Sequence, residues 1–325
     1  MIKNLLLFFL SLIFAILIVE AGLRINGIDP WKYKILKKQP VINKFDKIIG
    51  WSPKPGIYDF EAYSPNGKDF KFTILEDGSR YSGLKKNTNN NEIVFLGGSV
   101  TQGWAVDDKE NFTWYIQNRL SNYNIKNYGV SGYGTYQSYL MLDRVLKKKN
   151  KIKYIIYSFI HPHEIRNIGS ENWLKILTKF SPAKEVFFPY ASLDKGGNLI
   201  KNEPISYVKL PLREQLSIIN KIEKRIMKIR MYSKNKDKIV ITKKIIEKMI
   251  SLADANGSKF IMVNISDDSK DLKPYKDLIL KNGAQPINCA KKPNKYLTVE
   301  GEGHPNKKMH QLYAECILKE LKINF

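Results

Sequence analysis

Apolar residues are grouped unevenly along this chain of 325 residues. Leu5 to Val19 is an apolar run broken only by Ser11 and preceded by Lys3. At 1.5 Å per residue it spans about 22 Å as a helix, short of a ~30 Å hydrocarbon core, and continuation through Glu20 to Ile25 lengthens it. Two readings stay open: a signal peptide cut after Ala21 in Val19-Glu20-Ala21, or an uncleaved signal anchor. The run contains no cysteine, which excludes lipoprotein processing. A buried core helix would carry a polar face, and this run has none. Arg24, Lys32, Lys34, Lys37 and Lys38 follow the run, and positive-inside counting then favours a cytoplasmic body. Lys3 directly before the run is the export pattern, and lysine is abundant everywhere. Export is the expectation, with residues 1–25 as anchor or signal and the body on the extracytoplasmic side.

Between residues 26 and 92 turn formers recur, as in Trp51-Ser-Pro-Lys-Pro-Gly56, Ser64-Pro-Asn-Gly67 and Glu76-Asp-Gly-Ser79. Short β-like runs such as Phe70 to Ile74 lie between them, which predicts hairpins packed on a larger body. From residue 93 the pattern changes to alternating strands and helices. Ile93–Leu96, Ile125–Tyr128, Tyr154–Ile160 and Phe260–Ile265 read as buried parallel strands. Phe112–Leu120, Thr135–Lys148, Ile241–Ala255 and a final stretch from Asn306 to Leu321, entered at Pro305, read as helices. Such alternation predicts a doubly wound α/β fold with a mostly parallel sheet over residues 93–325, whose ligands bind at the carboxyl ends of strands. Residues of about 170–238 interrupt the alternation and are expected to be an insertion at one edge of the site. Its lysine-rich stretch Lys221 to Lys238 reads as a solvated helix face, with lipid headgroups as the alternative contact. A polar tract at Asn87 to Asn91 is the one low-complexity segment besides the lysine bias.

Lys plus Arg number 54 against 31 Asp plus Glu, for a net charge of +23. Of these cations 46 are Lys and only 8 Arg, spread over the whole chain. Base reading and bidentate phosphate contacts favour Arg, so nucleic acid is not the expected partner. A basic surface still suits anionic lipid or polysaccharide. With 43% hydrophobic and 12% aromatic residues the chain is neither disordered nor collagen-like. Cys289 and Cys316 are too few for a disulfide scaffold or a cysteine-built zinc module. One bridge between them stays open; otherwise they are core or helix residues with no assigned chemistry.

Three strand-end motifs carry chemistry. Phe95-Leu-Gly-Gly-Ser-Val-Thr-Gln-Gly103 places Ser99 at a tight turn after a strand, where following N–H groups can hold an oxyanion. It lacks the Lys of a Walker loop and the spacing of a dinucleotide fingerprint, so no nucleotide cofactor is called for. Asn127-Tyr-Gly-Val-Ser-Gly-Tyr-Gly-Thr135 has three glycines in six positions, implying a backbone that closely approaches another group. Gly301-Glu-Gly-His-Pro-Asn306 holds His304 in a loop before the last helix, with Glu302 two residues upstream to orient the ring and Glu300 competing for that role.

Together these motifs resemble the SGNH/GDSL hydrolase family over about residues 93–322. Gly97-Gly98-Ser99 stands where the family usually has G-D-S, Gly132 matches the second block, and Glu302-Gly303-His304-Pro305-Asn306 matches the D-x-x-H or D-x-H-P-N block. Gly-Gly-Ser-x-Thr-x-Gly-Trp-x-Val-Asp-Asp followed by Gly-x-Gly-Thr-Tyr-Gln looks like the membrane-tethered bacterial members. The resemblance implies a flavodoxin-like α/β body and acyl transfer from an ester by a Ser99-His304-Glu302 triad. It implies an oxyanion hole of Ser99, Gly132 and a side chain from the third block. There the family has Asn and this chain has Ile160-His-Pro-His-Glu-Ile-Arg166, so His163 is expected to donate instead. Trp104 and Tyr133 are the expected substrate contacts, and an acylated envelope polysaccharide or a small ester is the expected partner. Two rivals stand beside this reading. One is a metal hydrolase using His161-x-His163 with Glu164. The other is a retired hydrolase that binds glycan without turnover.

Overall fold

The computed structural model describes residues 2–32, 39–83, 91–148, 152–180, 187–206 and 210–321. Lys34, Lys37, Lys38 and the Asn87–Asn90 part of the polar tract lie outside the described residues. In chain order the strands are β1 (Asn43–Asp46), β2 (Gly50–Pro53), β3 (Gly56–Phe60), β4 (Phe70–Ile74), β5 (Glu92–Gly97), β6 (Asn124–Asn127), β7 (Ile152–Phe159), β8 (Phe187–Leu193), β9 (Leu199–Ser206), β10 (Lys259–Asn264) and β11 (Gln285–Asn288). The helices are α1 (Ile2–Ile25), α2 (Ser99–Gln102), α3 (Phe112–Arg119), α4 (Thr135–Leu146), α5 (His163–Asn167), α6 (Glu171–Phe180), α7 (Ser217–Ala255), α8 (Lys273–Lys281) and α9 (Lys307–Leu321).

Five strands pair in the order β11-β10-β7-β5-β6, every neighbour parallel. Both faces of this sheet are covered, which is why its strands read as near-continuous apolar runs. Alternate residues serve opposite faces. Ile93, Phe95, Ile156, Ile261 and Val263 join Phe112 and Ile116 of α3 and Met309, Tyr313 and Ile317 of α9 in one buried cluster. The intervening Val94, Ile155, Tyr157 and Met262 are buried too, as are Met141 and Leu142 of α4 and Ile245 and Met249 of α7. This is the doubly wound α/β architecture, accompanied by an N-terminal apolar helix.

Residues 43–74 contain two antiparallel strand pairs, β1–β2 and β3–β4. The β3–β4 hairpin is joined to the main sheet through Arg80, whose N–H donates to the Asn127 carbonyl at 2.7 Å. The Val-Asp-Asp run after Trp104 holds the same hairpin: Asp107 accepts from the Lys71 N–H at 2.9 Å and Asp108 from the Thr73 N–H at 2.8 Å.

Several elements differ from expectation. β11 and α8 are additional, and the segment read as an interruption contains α6 and the paired strands β8 and β9. The helix expected to begin at Ile241 begins at Ser217 and runs 39 residues. Cys289 and Cys316 form a disulfide, closing a loop that contains Glu302 and His304.

Two compact units are distinguished. One comprises residues 36–170, 187–205 and 237–325 and contains the sheet. The other comprises residues 1–35, 171–186 and 206–236. Within the second, the buried carboxylate of Glu20 accepts from the Ser217 N–H at 2.8 Å and the Ile218 N–H at 3.0 Å, the opening N–H groups of α7. α1 is long and apolar enough to cross a membrane.

Candidate active site

All three motifs lie at carboxyl ends of sheet strands or beside them, as doubly wound sheets require. β5 ends at Gly97, and the chain turns through Gly98 into the short helix α2, whose first residue is Ser99. Both glycines are fixed by crowding. A Cβ on Gly97 would lie 2.8 Å from the Ser158 carbonyl, and one on Gly98 would lie 2.8 Å from His163 Nε2. α2 stops at Gly103, whose φ of 74° lies in the left-handed region. Trp104 follows, its N–H donating to the Ser99 carbonyl at 3.0 Å.

The second glycine loop is tied to that turn by two buried amides that the sequence reading passed over. Asn127 Nδ2 donates to the Thr101 carbonyl at 2.7 Å. Gln102 Oε1 accepts from both the N–H and the hydroxyl of Ser131, at 2.8 and 2.7 Å. Gln102 therefore sets Gly132 against the turn that carries Ser99. Among the described residues, neither the Ser99 nor the Gly132 N–H is matched with an acceptor.

The third motif brings the side chains together. Gly301 and Gly303 have φ of 79° and 95°, and Val299 N–H bonds back to the His304 carbonyl at 2.8 Å, so the loop folds onto itself. Asn306 Oδ1 accepts from the Lys308 and Met309 N–H groups, capping α9 directly after Pro305. His304 Nε2 stands 2.8 Å from Ser99 Oγ. His304 Nδ1 stands 2.7 and 2.8 Å from the two oxygens of Glu302. The Glu302 carboxylate also accepts from the His304 N–H at 2.8 Å and from Trp104 Nε1 at 3.0 Å. Burial pushes the Glu302 carboxyl up, but the His304 ring, the His304 N–H and Trp104 outweigh it and hold its pKa below the usual range. The neighbouring Tyr63 phenol is raised by burial and by the Glu302 charge. Glu300, the rival for the acid's place, instead accepts from Ser64 Oγ at 3.2 Å.

Two expectations need correction. His163 is wholly buried. The Tyr157 hydroxyl donates to Thr135 Oγ1 at 2.8 Å, so its oxygen accepts from His163 Nδ1 at 2.7 Å. That assignment puts the proton on Nδ1 and leaves Nε2 a bare lone pair. Burial first, then the Arg166 charge, pushes the ring's pKa well below the usual histidine value, so it stays neutral. With no free N–H and no exposure, His163 is not placed to donate to a substrate oxyanion. Tyr133 is also fully buried, and its hydroxyl donates to the Trp51 carbonyl, so it does not face substrate. Trp104 is half-buried, packs on Phe60 and Phe72 and donates its N–H to Glu302.

The His161–His163 pair does not form a metal site. His161 is half exposed and lies 3.6 Å from Asp271, while His163 points into the core against Tyr157. Glu164 is taken up by the Tyr275 hydroxyl at 2.6 Å and Lys238 at 3.0 Å. Among the described residues no cluster of three or more His, Cys, Asp or Glu is arranged to hold a metal ion.

No protein-family model matches the chain, and no curated protein does. Solved structures similar to it include a member of the lipolytic protein G-D-S-L family from Veillonella parvula DSM 2008, at 13% identity over 72% of this chain and 99% of that one, with a TM-score of 0.41. TesA is similar at 10% identity over 71% of this chain and 98% of its own, with a TM-score of 0.43. A variant of an acetyl xylan esterase from Geobacillus stearothermophilus is similar at 10% identity over 74% of this chain and 98% of its own, with a TM-score of 0.42.

Proposed function

We propose that this chain is a serine esterase of the SGNH type in which Ser99 is the nucleophile, His304 the general base and acid, and Glu302 the orienting carboxylate. The observation that carries the proposal is the unbroken relay from Ser99 Oγ through the His304 ring to Glu302, at 2.8 and 2.7 Å. Ser99 Oγ attacks the ester carbonyl while His304 Nε2 takes its proton. The tetrahedral oxyanion is held by the backbone N–H groups of Ser99 and Gly132. Nε2 returns the proton to the leaving alkoxide, and the acyl group stays on Ser99. A water then attacks the acyl-enzyme, again deprotonated by Nε2, and the carboxylic acid leaves. If a sugar hydroxyl takes the place of that water, the same steps make an O-acyltransferase.

The preferred substrate class is an acylated envelope glycan or a small ester. α1 supplies a membrane tether in this proposal. The Cys289–Cys316 bridge supports an oxidising compartment, with the body outside the cytoplasm. The test is labelling of the full chain in detergent with a fluorophosphonate probe, comparing wild type, Ser99→Ala and His304→Ala. Labelling that needs both residues is expected. A folded wild-type chain that takes no label overturns the esterase and leaves the glycan-binding reading.

A further inference from the structure

Within the unit that contains α1, the opening turns of α7 carry an exposed apolar stripe that the proposed chemistry does not use. Ile222, Ile226 and Ile229 are 44%, 36% and 63% exposed. Their spacing of four and three residues puts them on one side of the helix. Lys221, Arg225 and Lys228 are exposed and form the adjoining stripe. The only carboxylate between Ile218 and Ile229 is Glu223, and it is buried.

The rotation of α7 about its axis is fixed from the opposite side. Glu223 lies 3.2 Å from Lys175 Nζ and 3.5 Å from Arg213 Nη1, and the Arg213 guanidinium is 3.8 Å above the Trp31 ring. Asn220 Nδ2 donates to the Asp29 carbonyl at 2.8 Å. This buried polar network turns the isoleucines outward, so their exposure is built in. The start of α7 is also fixed to the end of α1. Besides accepting from Ser217 and Ile218, Glu20 accepts from Arg24 Nε at 2.7 Å, and Arg24 Nη2 donates to the Gln215 carbonyl at 2.8 Å. Cleavage after Ala21 would remove Glu20 and leave the first N–H groups of α7 without their acceptor.

We propose that the first turns of α7 lie along an anionic lipid surface, with the Ile222, Ile226 and Ile229 stripe at the headgroup–acyl boundary and the Lys221, Arg225 and Lys228 stripe on lipid phosphates. An apolar stripe beside basic residues is the pattern of an interfacial helix. Glu20 supplies the continuity, because it holds this helix within a turn of a segment long enough to cross the bilayer. The inference rests on α1 crossing the bilayer and is independent of the ester chemistry.

The experiment uses the full chain in vesicles of phosphatidylcholine and phosphatidylglycerol. The native cysteines are bridged, so single Cys substitutions from Lys221 to Ile229, with Glu223 omitted, can be labelled with bimane. Nitroxide lipids then serve as quenchers, and melting temperature checks that each variant is folded. Flotation comes first: a chain that does not float overturns the crossing of α1. In floating vesicles, quenching is expected to peak at 222, 226 and 229, roughly two-fold above that at 224, and to weaken without phosphatidylglycerol. A flat, unquenched profile overturns the proposal, as does quenching indifferent to the anionic lipid. Spontaneous Ile226→Cys cross-links between chains, in place of quenching, would show a second copy on the stripe and also overturn it.

Discussion

Trp104→Phe separates two roles that the sequence alone could not distinguish. The indole N–H is one of four contacts on Glu302, the others being two from the His304 ring and one from the His304 N–H. Phenylalanine keeps an aromatic ring against Phe60 and Phe72, which lie 5.6 and 6.2 Å from the indole, and removes only the donor and one ring's volume. A hydrogen bond to a charged group contributes about 1.5–3 kcal/mol net. Three contacts survive, so the lower end applies, and about 1.5 kcal/mol corresponds to roughly a tenfold loss of rate. The loss belongs to kcat, because a less firmly held carboxylate stabilises the imidazolium less as it forms in the transition state. The assay is steady-state hydrolysis of p-nitrophenyl acetate with the fluorophosphonate labelling rate as an independent readout, alongside thermal melting. A KM that rises with kcat unchanged would refute the reasoning and return Trp104 to the substrate-facing role. Wild-type kinetics would reduce it to packing.

Three further outcomes follow from other parts of the molecule. Reducing the Cys289–Cys316 bridge, whose ends are 27 residues apart, frees the loop bearing Glu302 and His304. The chain-entropy argument gives a loss of about 3–4 kcal/mol, so melting temperature and labelling rate should fall together under reductant; labelling unchanged in reductant would show that the loop holds itself. Gly98→Ala puts a methyl 2.8 Å from His163 Nε2 and should cost about 1–3 kcal/mol by crowding. In a His163→Ala background that cost should largely vanish, and a double-mutant cycle in urea with no coupling would contradict the contact. Asp46 is lowered to about 2: burial pushes it up, but the Arg144 guanidinium and the Ile48 and Ile49 N–H groups outweigh that. Its stabilisation is therefore complete above the unfolded value near 4 and lost as pH falls towards 2. With Arg144 a third exposed, Asp46→Asn should cost about 1–2 kcal/mol at neutral pH and nothing near pH 2, read by urea titration at both.

What the sequence made legible was local. Ser99 follows a run of buried apolar residues and sits between glycines, and His304 is only two residues from its carboxylate partner, so both fall out of spacing. The strands of the sheet interior were readable because both of their faces are covered. β11 was not, because as an edge strand it buries only Ile287 among Gln285, Pro286 and Asn288. The first half of α7 read as a solvated helix face over Lys221 to Lys238, but its continuity with the helix from Ile241 did not show, because its inward face is held by Asn220 and Glu223 instead of an apolar stripe. Side-chain direction was beyond reach wherever the partner is distant in sequence. Trp104 meets Glu302 across 198 residues and Gln102 meets Ser131 across 29, and no local pattern reports either contact. His310 shows the opposite lesson, since it stacks on Phe112 with burial pushing its pKa down to about 3, and serves the core.

The departures from the SGNH/GDSL pattern that the chain resembles are best understood in pairs. Gly98 stands where the family usually has Asp, and His163 where it usually has Asn. The structure makes these one change, because the imidazole occupies the space that any side chain at 98 would need. Glu302 and Gly303 form the second pair. The longer carboxylate doubles back at a residue with φ of 95° and grips both the backbone and the ring of His304, with Trp104 closing its remaining side. In the proposed mechanism the second pair leaves the proton relay intact, whereas the first leaves the oxyanion to the backbone N–H groups of Ser99 and Gly132. An oxyanion held by two backbone N–H groups alone forgoes a factor of about 10²–10³. The proposed enzyme should therefore form its acyl-serine slowly while keeping its dependence on Ser99 and His304, and the rate deficit should lie in acylation and deacylation alike.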